Sequence, residues 1–273
     1  MIIAQNVFVF RNDEHALSRR PQKYNKPTNH SVICLPFRST IEKLFPWQLF
    51  NNPKDKFNSE GVFRLIKTET ETNQIKKWCD DCCDLVFLND CMDISLALSY
   101  NFKAIKDEET LVPTIFGELE RFAKQSQDTD AITKIINHMI ERIKFFDILN
   151  HADCICGVPK QQGKGFHLPE ELARGVAASL NKEDITPHLE FDISKPSLKG
   201  LPYQRKWDAL ENSDIIFSPN APNLKNSKII LIDDKYQSGV TIQFVASKLQ
   251  EQGAKEVYGL CAVKTWRDDD NQT

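Results

Sequence analysis

A chain of 273 residues with 35 Lys and Arg against 38 Asp and Glu carries a formal charge of −3, and 41% of it is hydrophobic against 27% charged. That balance suits a globular protein with length for one large or two small domains and a full hydrophobic core, so no disulfide or structural metal is needed to fold it. It weighs against a surface given over to polyanion binding, and no apolar run approaches the ~18–20 residues of a membrane span, so no membrane partner is expected.

The opening MIIAQNVFVF has no basic segment ahead of its apolar residues. It reads as a buried strand over residues 2–10 rather than a signal peptide, which points to a cytoplasmic protein. Further strands are expected over 31–37 and 60–68, bounded by polar or Pro-containing turns, and a helix over 71–83. The eight cysteines are unevenly spaced, and reduced thiols are the default. Cys79, Cys82, Cys83 and Cys91 hold a C-x2-C and two further thiols, as many ligands as tetrahedral zinc takes. The segment has no second separated knuckle and no turn glycine, however, and runs on into apolar 85–88. Buried free thiols are the preferred reading, and Zn²⁺ is not expected.

From residue 113 the pattern changes to helical periodicity, in the stretch LVPTIFGELERFAKQ over 111–125 and again over 129–149. Ile132, Ile135, Ile136, Met139, Ile140 and Ile143 form one face of the second helix, Thr129 or Asp130 stands at its start, and His138 lies on its polar flank. ADCICGVP at 152–159 reads as a short buried strand in which Cys154 and Cys156 are packing residues. A polar loop over 160–165 leads to a helix over 169–180 that begins on Pro169. The order returns as a strand KIILIDD at 228–234, a turn KYQSGVT at 235–241, a helix ended by Gly253, and a last strand over 256–263. Such units predict an α/β fold, a parallel sheet with helices on both faces and ligands at the carboxyl ends of its strands. The expected organisation is an N-terminal α+β accessory domain over 1–105, a helical bridge over 106–150 and the α/β domain over 151–273. An acidic tail, Asp268–Asp270, follows the last strand.

Asp233 and Asp234 stand together at the end of a buried strand, where repulsion and desolvation both cost free energy. Gln237, Ser238, Gly239, Val240 and Thr241 follow in a turn that opens a helix. Backbone N–H groups, the positive helix end and two hydroxyls converge there, which is how a phosphate dianion is held. A plain helix cap would account for the acids but not for Ser-Gly-Val-Thr at this spacing.

The run resembles the signature of type I phosphoribosyltransferases, an apolar strand leading to two acids and a T-T/S-G-x-T turn. The resemblance implies that Asp233 and Asp234 hydrogen-bond the ribose hydroxyls of phosphoribosyl pyrophosphate (PRPP) while residues 237–241 cradle its 5′-phosphate. Upstream, residues 153–180 look like the first strand, pyrophosphate loop and helix of the ComF-like subgroup. Gly157-Val158-Pro159 stands for P-V-P, and Lys164-Gly165-Phe166-His167 falls in its R-G-F-N-Q segment. Pro159, Lys160, Lys164 and His167 would then face the pyrophosphate. Residues 196–217, with Arg205 before Asp208-Ala209-Leu210, resemble the mobile flap over the site, and 262–266 the last core strand. In all the resemblance covers about residues 150–267.

Three departures stand out. Gln237 occupies the place where purine-salvage enzymes carry a proton-exchanging Asp, and an amide cannot do that work. Lys235 stands where an apolar residue is expected, and the pyrophosphate loop lacks two arginines of the subgroup pattern. The implied activity is transfer of a phosphoribosyl group to a nitrogen acceptor with release of pyrophosphate, a pentosyl glycosyltransferase reaction with Mg²⁺ bound alongside PRPP. Asp233, Asp234 and Arg205 would be its catalytic residues. The alternative is a catalytically inactive regulator that senses PRPP or a nucleoside 5′-phosphate, in bacterial DNA uptake or defence. The resemblance is compatible with a homodimer, and a nucleic-acid or protein partner would bind through the N-terminal domain. Tyr203, Arg205, Lys206 and Trp207 interleave aromatic and basic groups, an arrangement that suits base stacking or a solvated lid.

Overall fold

The computed structural model describes residues 9–11, 17–18, 31–35, 40–49, 56–58, 61–66, 68–104, 110–163, 165–192, 198 and 200–266. Residues 2–8 of the expected first strand, Lys164 and the tail Asp268–Asp270 lie outside the described residues, as does the Cys79 side chain.

The centre of the molecule is a seven-stranded sheet formed by β1 (Val9–Arg11), β2 (Val86–Leu88), β3 (Ile94–Tyr100), β4 (Cys154–Gly157), β5 (Glu183–Asp184), β6 (Lys228–Tyr236) and β7 (Glu256–Lys264). Their spatial order is β1-β2-β3-β7-β6-β4-β5. The run from β3 to β5 is parallel throughout, and β2 joins β3 antiparallel. The longer helices are α1 (Glu69–Asp81), α2 (Ile115–Ser126), α3 (Thr129–Phe145), α4 (Leu168–Leu180), α5 (Tyr203–Glu211) and α6 (Val240–Glu251). Smaller antiparallel pairings lie outside this sheet, among them Leu189–Phe191 with Ile215–Phe217 and Phe102–Ala104 with Leu111–Pro113. Among the described residues, no helix is long and apolar enough to cross a membrane.

The near-continuous apolar strands follow from burial on both faces. Ile230, Ile232, Leu260 and Leu96 point to one core, with Ile135 and Met139 of α3 and Leu172 and Val176 of α4. Ile229, Leu231, Val257 and Cys156 point to the other, with Phe244 and Val245 of α6. Each Ile, Leu or Val so buried stabilises the fold by about 1.5–3 kcal/mol relative to exposure. Cys154 and Cys156 pack in the second core.

The sheet runs across the expected divisions at 105 and 150. β3, which has no counterpart among the strands expected from sequence, pairs with β7 from Tyr258↔Ile94 to Lys264↔Tyr100. The start of α3 also differs from expectation, because the cap is Asp128, whose side chain accepts the Ala131 N–H at 2.9 Å. Thr129 and Asp130 fall inside the helix. Cys82 belongs to the first core, whereas Cys91 packs against the second and Cys83 is exposed. The sheet thus separates thiols that a zinc site would have to bring together, and among the described residues no group of three or more His, Cys, Asp or Glu could hold a metal.

Candidate functional site

The two carboxylates come at the carboxyl end of β6. Successive side chains of a strand point to opposite faces, so the acids divide. Asp233, 9% exposed, lines a cleft of about 460 Å³ on the α6 side. Asp234, 6% exposed, turns to the other side and ion-pairs with the Lys124 ammonium of α2. Neither acid caps α6. Its N-cap is Gly239 and no side chain caps it, while an Asp233 oxygen accepts the Asp234 N–H at 2.9 Å.

Ser238, Gly239, Val240 and Thr241 line the same cleft as Asp233. Gly239 has φ 74°, and a Cβ on it would lie 2.2 Å from the hydroxyl oxygen of Tyr236. Left-handed backbone and lack of space together require glycine here. The N–H groups of the first turn of α6 have no partner within the helix, so they and its positive end are presented at this wall of the cleft.

The turn rests on a network from a distant part of the chain. The buried Tyr236 hydroxyl donates to Asp90 at 3.0 Å, and the other Asp90 oxygen accepts the Met92 N–H at 2.9 Å. Burial pushes the Asp90 carboxyl up to about 6. Gln243, 0% exposed, donates through its amide nitrogen to the Gly239 carbonyl at 3.2 Å and accepts the Cys91 N–H at 3.2 Å. The loop between β2 and β3 therefore supports the turn at two points. Cys261 of β7 pairs in register with Asp233 of β6. Its thiol is pushed well above the usual range by burial and by the charges of Asp233, Asp90 and Asp234, so it is a packing group rather than a nucleophile.

The other residues singled out from sequence scatter. Arg205 is exposed and does not line the cleft, whereas its neighbour Lys206 is 3% exposed and does. Gln237 lines the cleft from an exposed position. Lys160 pairs with Glu170, in the first turn of α4, at 2.9 Å. Pro159 is buried, His167 stands at the start of α4, and neither these two nor Lys160 lines the cleft. Lys235 lines the cleft and also reaches Glu120 of α2 at 2.9 Å. Burial works against the Lys124 charge, yet Asp234, Glu120 and Asp233 together hold its ammonium above its usual range. Lys124, Glu120, Asp90 and Gln243 were not singled out as site residues from the sequence, and Lys206 was named only within the aromatic and basic stretch 203–207. Tyr236 carries the one local signal of this kind, an aromatic ring three residues before a turn glycine.

No family model matches the chain, and no curated protein matches it. Among solved structures it is similar to the purine phosphoribosyltransferase of Pyrococcus horikoshii, with 17% identity over 49% of this chain and 72% of that one and a TM-score of 0.30. It is similar to the adenine phosphoribosyltransferase of Thermoanaerobacter pseudethanolicus, with 13% identity over 61% and 96% and a TM-score of 0.36. The hypoxanthine phosphoribosyltransferase of Trypanosoma cruzi gives 7%, 58% and 72%, with a TM-score of 0.34.

Proposed function

We propose that the chain binds PRPP, or a related ribose 5-phosphate compound, in the 460 Å³ cleft and transfers the phosphoribosyl group to a nitrogen acceptor with release of pyrophosphate. The observation that carries the reading is the meeting of Asp233 with the 238–241 turn in one cleft, at the carboxyl end of a buried parallel strand. That is where open α/β sheets bind their ligands. The finer assignment to a ComF-like protein rests on the sequence resemblance of residues 157–159, 164–167 and 196–217.

In this reading the turn amides and the Ser238 and Thr241 hydroxyls hold the 5′-phosphate, and Asp233 accepts hydrogen bonds from the ribose hydroxyls. Breaking the bond from C1′ to pyrophosphate leaves positive charge on the ribose and negative charge on the leaving group. The protein's part is to position the two and to oppose both charges. Lys206 and Lys235 both line the cleft, and in this reading Lys206 takes the role that sequence assigned to Arg205. Lys160 serves the pyrophosphate only after leaving Glu170. Mg²⁺ is bound by one or two carboxylates together with substrate phosphate oxygens. Asp233 fits the protein's share of that set, and the ion would neutralise the leaving pyrophosphate. Gln237 takes no proton from the acceptor, so that proton leaves by another route.

Calorimetry with PRPP and Mg²⁺ tests the reading. Wild type should bind, Asp233→Asn should bind at least about tenfold more weakly, since a charged hydrogen-bond acceptor is lost, and pyrophosphate should be released when a suitable amine is supplied. A wild-type protein that takes up no PRPP would end the proposal.

A further inference from the structure

A second cavity of about 170 Å³ lies on the other side of β6, between α2 and the end of β3. Asn101, Glu120, Arg121, Lys124, Gln125 and Lys235 are among its lining residues. Lys235 belongs to both cavities, so the second space begins where the first ends.

Its wall is built closely. Gly117 presses α2 against the strand end, for a Cβ there would lie 2.0 Å from the Asn101 carbonyl oxygen. Glu120 is the group that calls for an occupant. Its carboxylate is only 4% exposed, one oxygen takes the Lys235 ammonium at 2.9 Å, and the other has no hydrogen-bond partner and stands 3.9 Å from the Lys124 nitrogen. A buried carboxylate oxygen without a donor costs free energy, on the order of 1–3 kcal/mol or more for a charged group, and a ligand N–H would supply what is missing. Lys124 is half-exposed and can yield its place over Glu120. Arg121 and Lys235 are further cations in the cavity lining. The volume equals roughly six waters at ~30 Å³ each.

We propose that this cavity is the acceptor subsite, and that the acceptor is a small amide-like nitrogen compound presenting N–H to Glu120 and a carbonyl or carboxylate oxygen to Lys235 or Arg121. The assignment of an acceptor role rests on the PRPP reading, whereas the binding of such a compound does not. Lys235, out of place for an apolar contact with a flat base, is in place for this one.

The test uses glycinamide and cytosine as probes, observed by ligand-detected NMR with the full chain in the absence of PRPP. At least one should bind wild type, Glu120→Gln should weaken it about tenfold or more, and Gln125→Trp, placed at an exposed wall of the cavity, should abolish it. Melting curves of both variants establish that they are folded, and because Gln125 is exposed the second stands even where the first is destabilised. Binding of neither probe to wild type, or binding unchanged in both variants, overturns the proposal. PRPP calorimetry on the same samples separates the two ideas. PRPP uptake without probe binding removes the subsite alone, and probe binding without PRPP uptake removes the acceptor role along with the transferase reading.

Discussion

Asp90 is the charged group whose position asks most of the chain, because it sits beneath the 238–241 turn with its oxygens committed to the Tyr236 hydroxyl and the Met92 N–H. Burial raises its folded value to about 6, against an ordinary aspartate value of about 3.9. Between about pH 4 and about pH 6 the folded protein therefore keeps a proton that the unfolded chain has lost, and stability falls as pH rises through that window, then levels off. Asp90→Asn removes this dependence. Relative to wild type, the variant should gain on the order of 2–3 kcal/mol between the two ends of the window. Melting curves across that range check it, and parallel profiles for the two proteins would refute it. At this scale the sequence is legible where the chemistry is local. Asp233, Ser238, Gly239 and Thr241 are neighbours along the chain, and they meet in one cleft. Strand alternation, which parts Asp233 from Asp234, was equally available in the sequence. The one-residue difference between Arg205 and Lys206 was not, because which face of α5 is covered depends on what packs against it.

At the scale of elements, α2 carries Glu120, Arg121 and Lys124 to the rim of the site, and its seat is set by Thr114. The Thr114 side chain accepts the Gly117 N–H at 3.0 Å as N-cap and donates to the Tyr100 carbonyl at the end of β3. One hydroxyl thus ties the start of the helix to the strand end that forms the second cavity. Thr114→Ala should destabilise the protein by about 1–2 kcal/mol, the upper part of the range for a lost N-cap, because it also leaves the Tyr100 carbonyl without this donor. Urea unfolding measures this as a lower midpoint at unchanged slope. No loss of stability would mean that the cap is replaced by solvent. The 3.6-residue period disclosed α2 and α3 as helices. It did not disclose that α2 would supply the partner of Asp234, since Lys124 and Asp234 are 110 positions apart and no local pattern links them.

The whole molecule was the scale least open to sequence. β3, ISLALSY, follows a polar turn, and nothing along the chain discloses the edge of β7 that it covers. Ile94, Leu96 and Leu98 then complete the core that also holds α3 and α4. β7 is hydrogen-bonded along both edges, to β6 on one side and β3 on the other. Cutting the chain at the expected division would strip one edge from β7. It would also expose Tyr258, Leu260 and Ala262 where α2, α3 and β3 cover them. An apolar strand with an open edge is a site of aggregation. The fragment 151–273 should therefore fail to fold as a soluble monomer, while a fragment 86–273, which lacks β1 but keeps β2, β3 and all of the helices from α2 to α6, should retain the six strands from β2 to β5 in the sheet order. Far-UV circular dichroism and amide hydrogen exchange on the two fragments decide the matter. If 151–273 proves cooperative and monomeric, with β7 amides protected, the phosphate-binding half is an independent domain and β3 merely leans on it. If its β7 amides exchange freely while those of the longer fragment are protected, the sheet is one folding unit, and the Asp90 loop supports the phosphate turn because both belong to that unit.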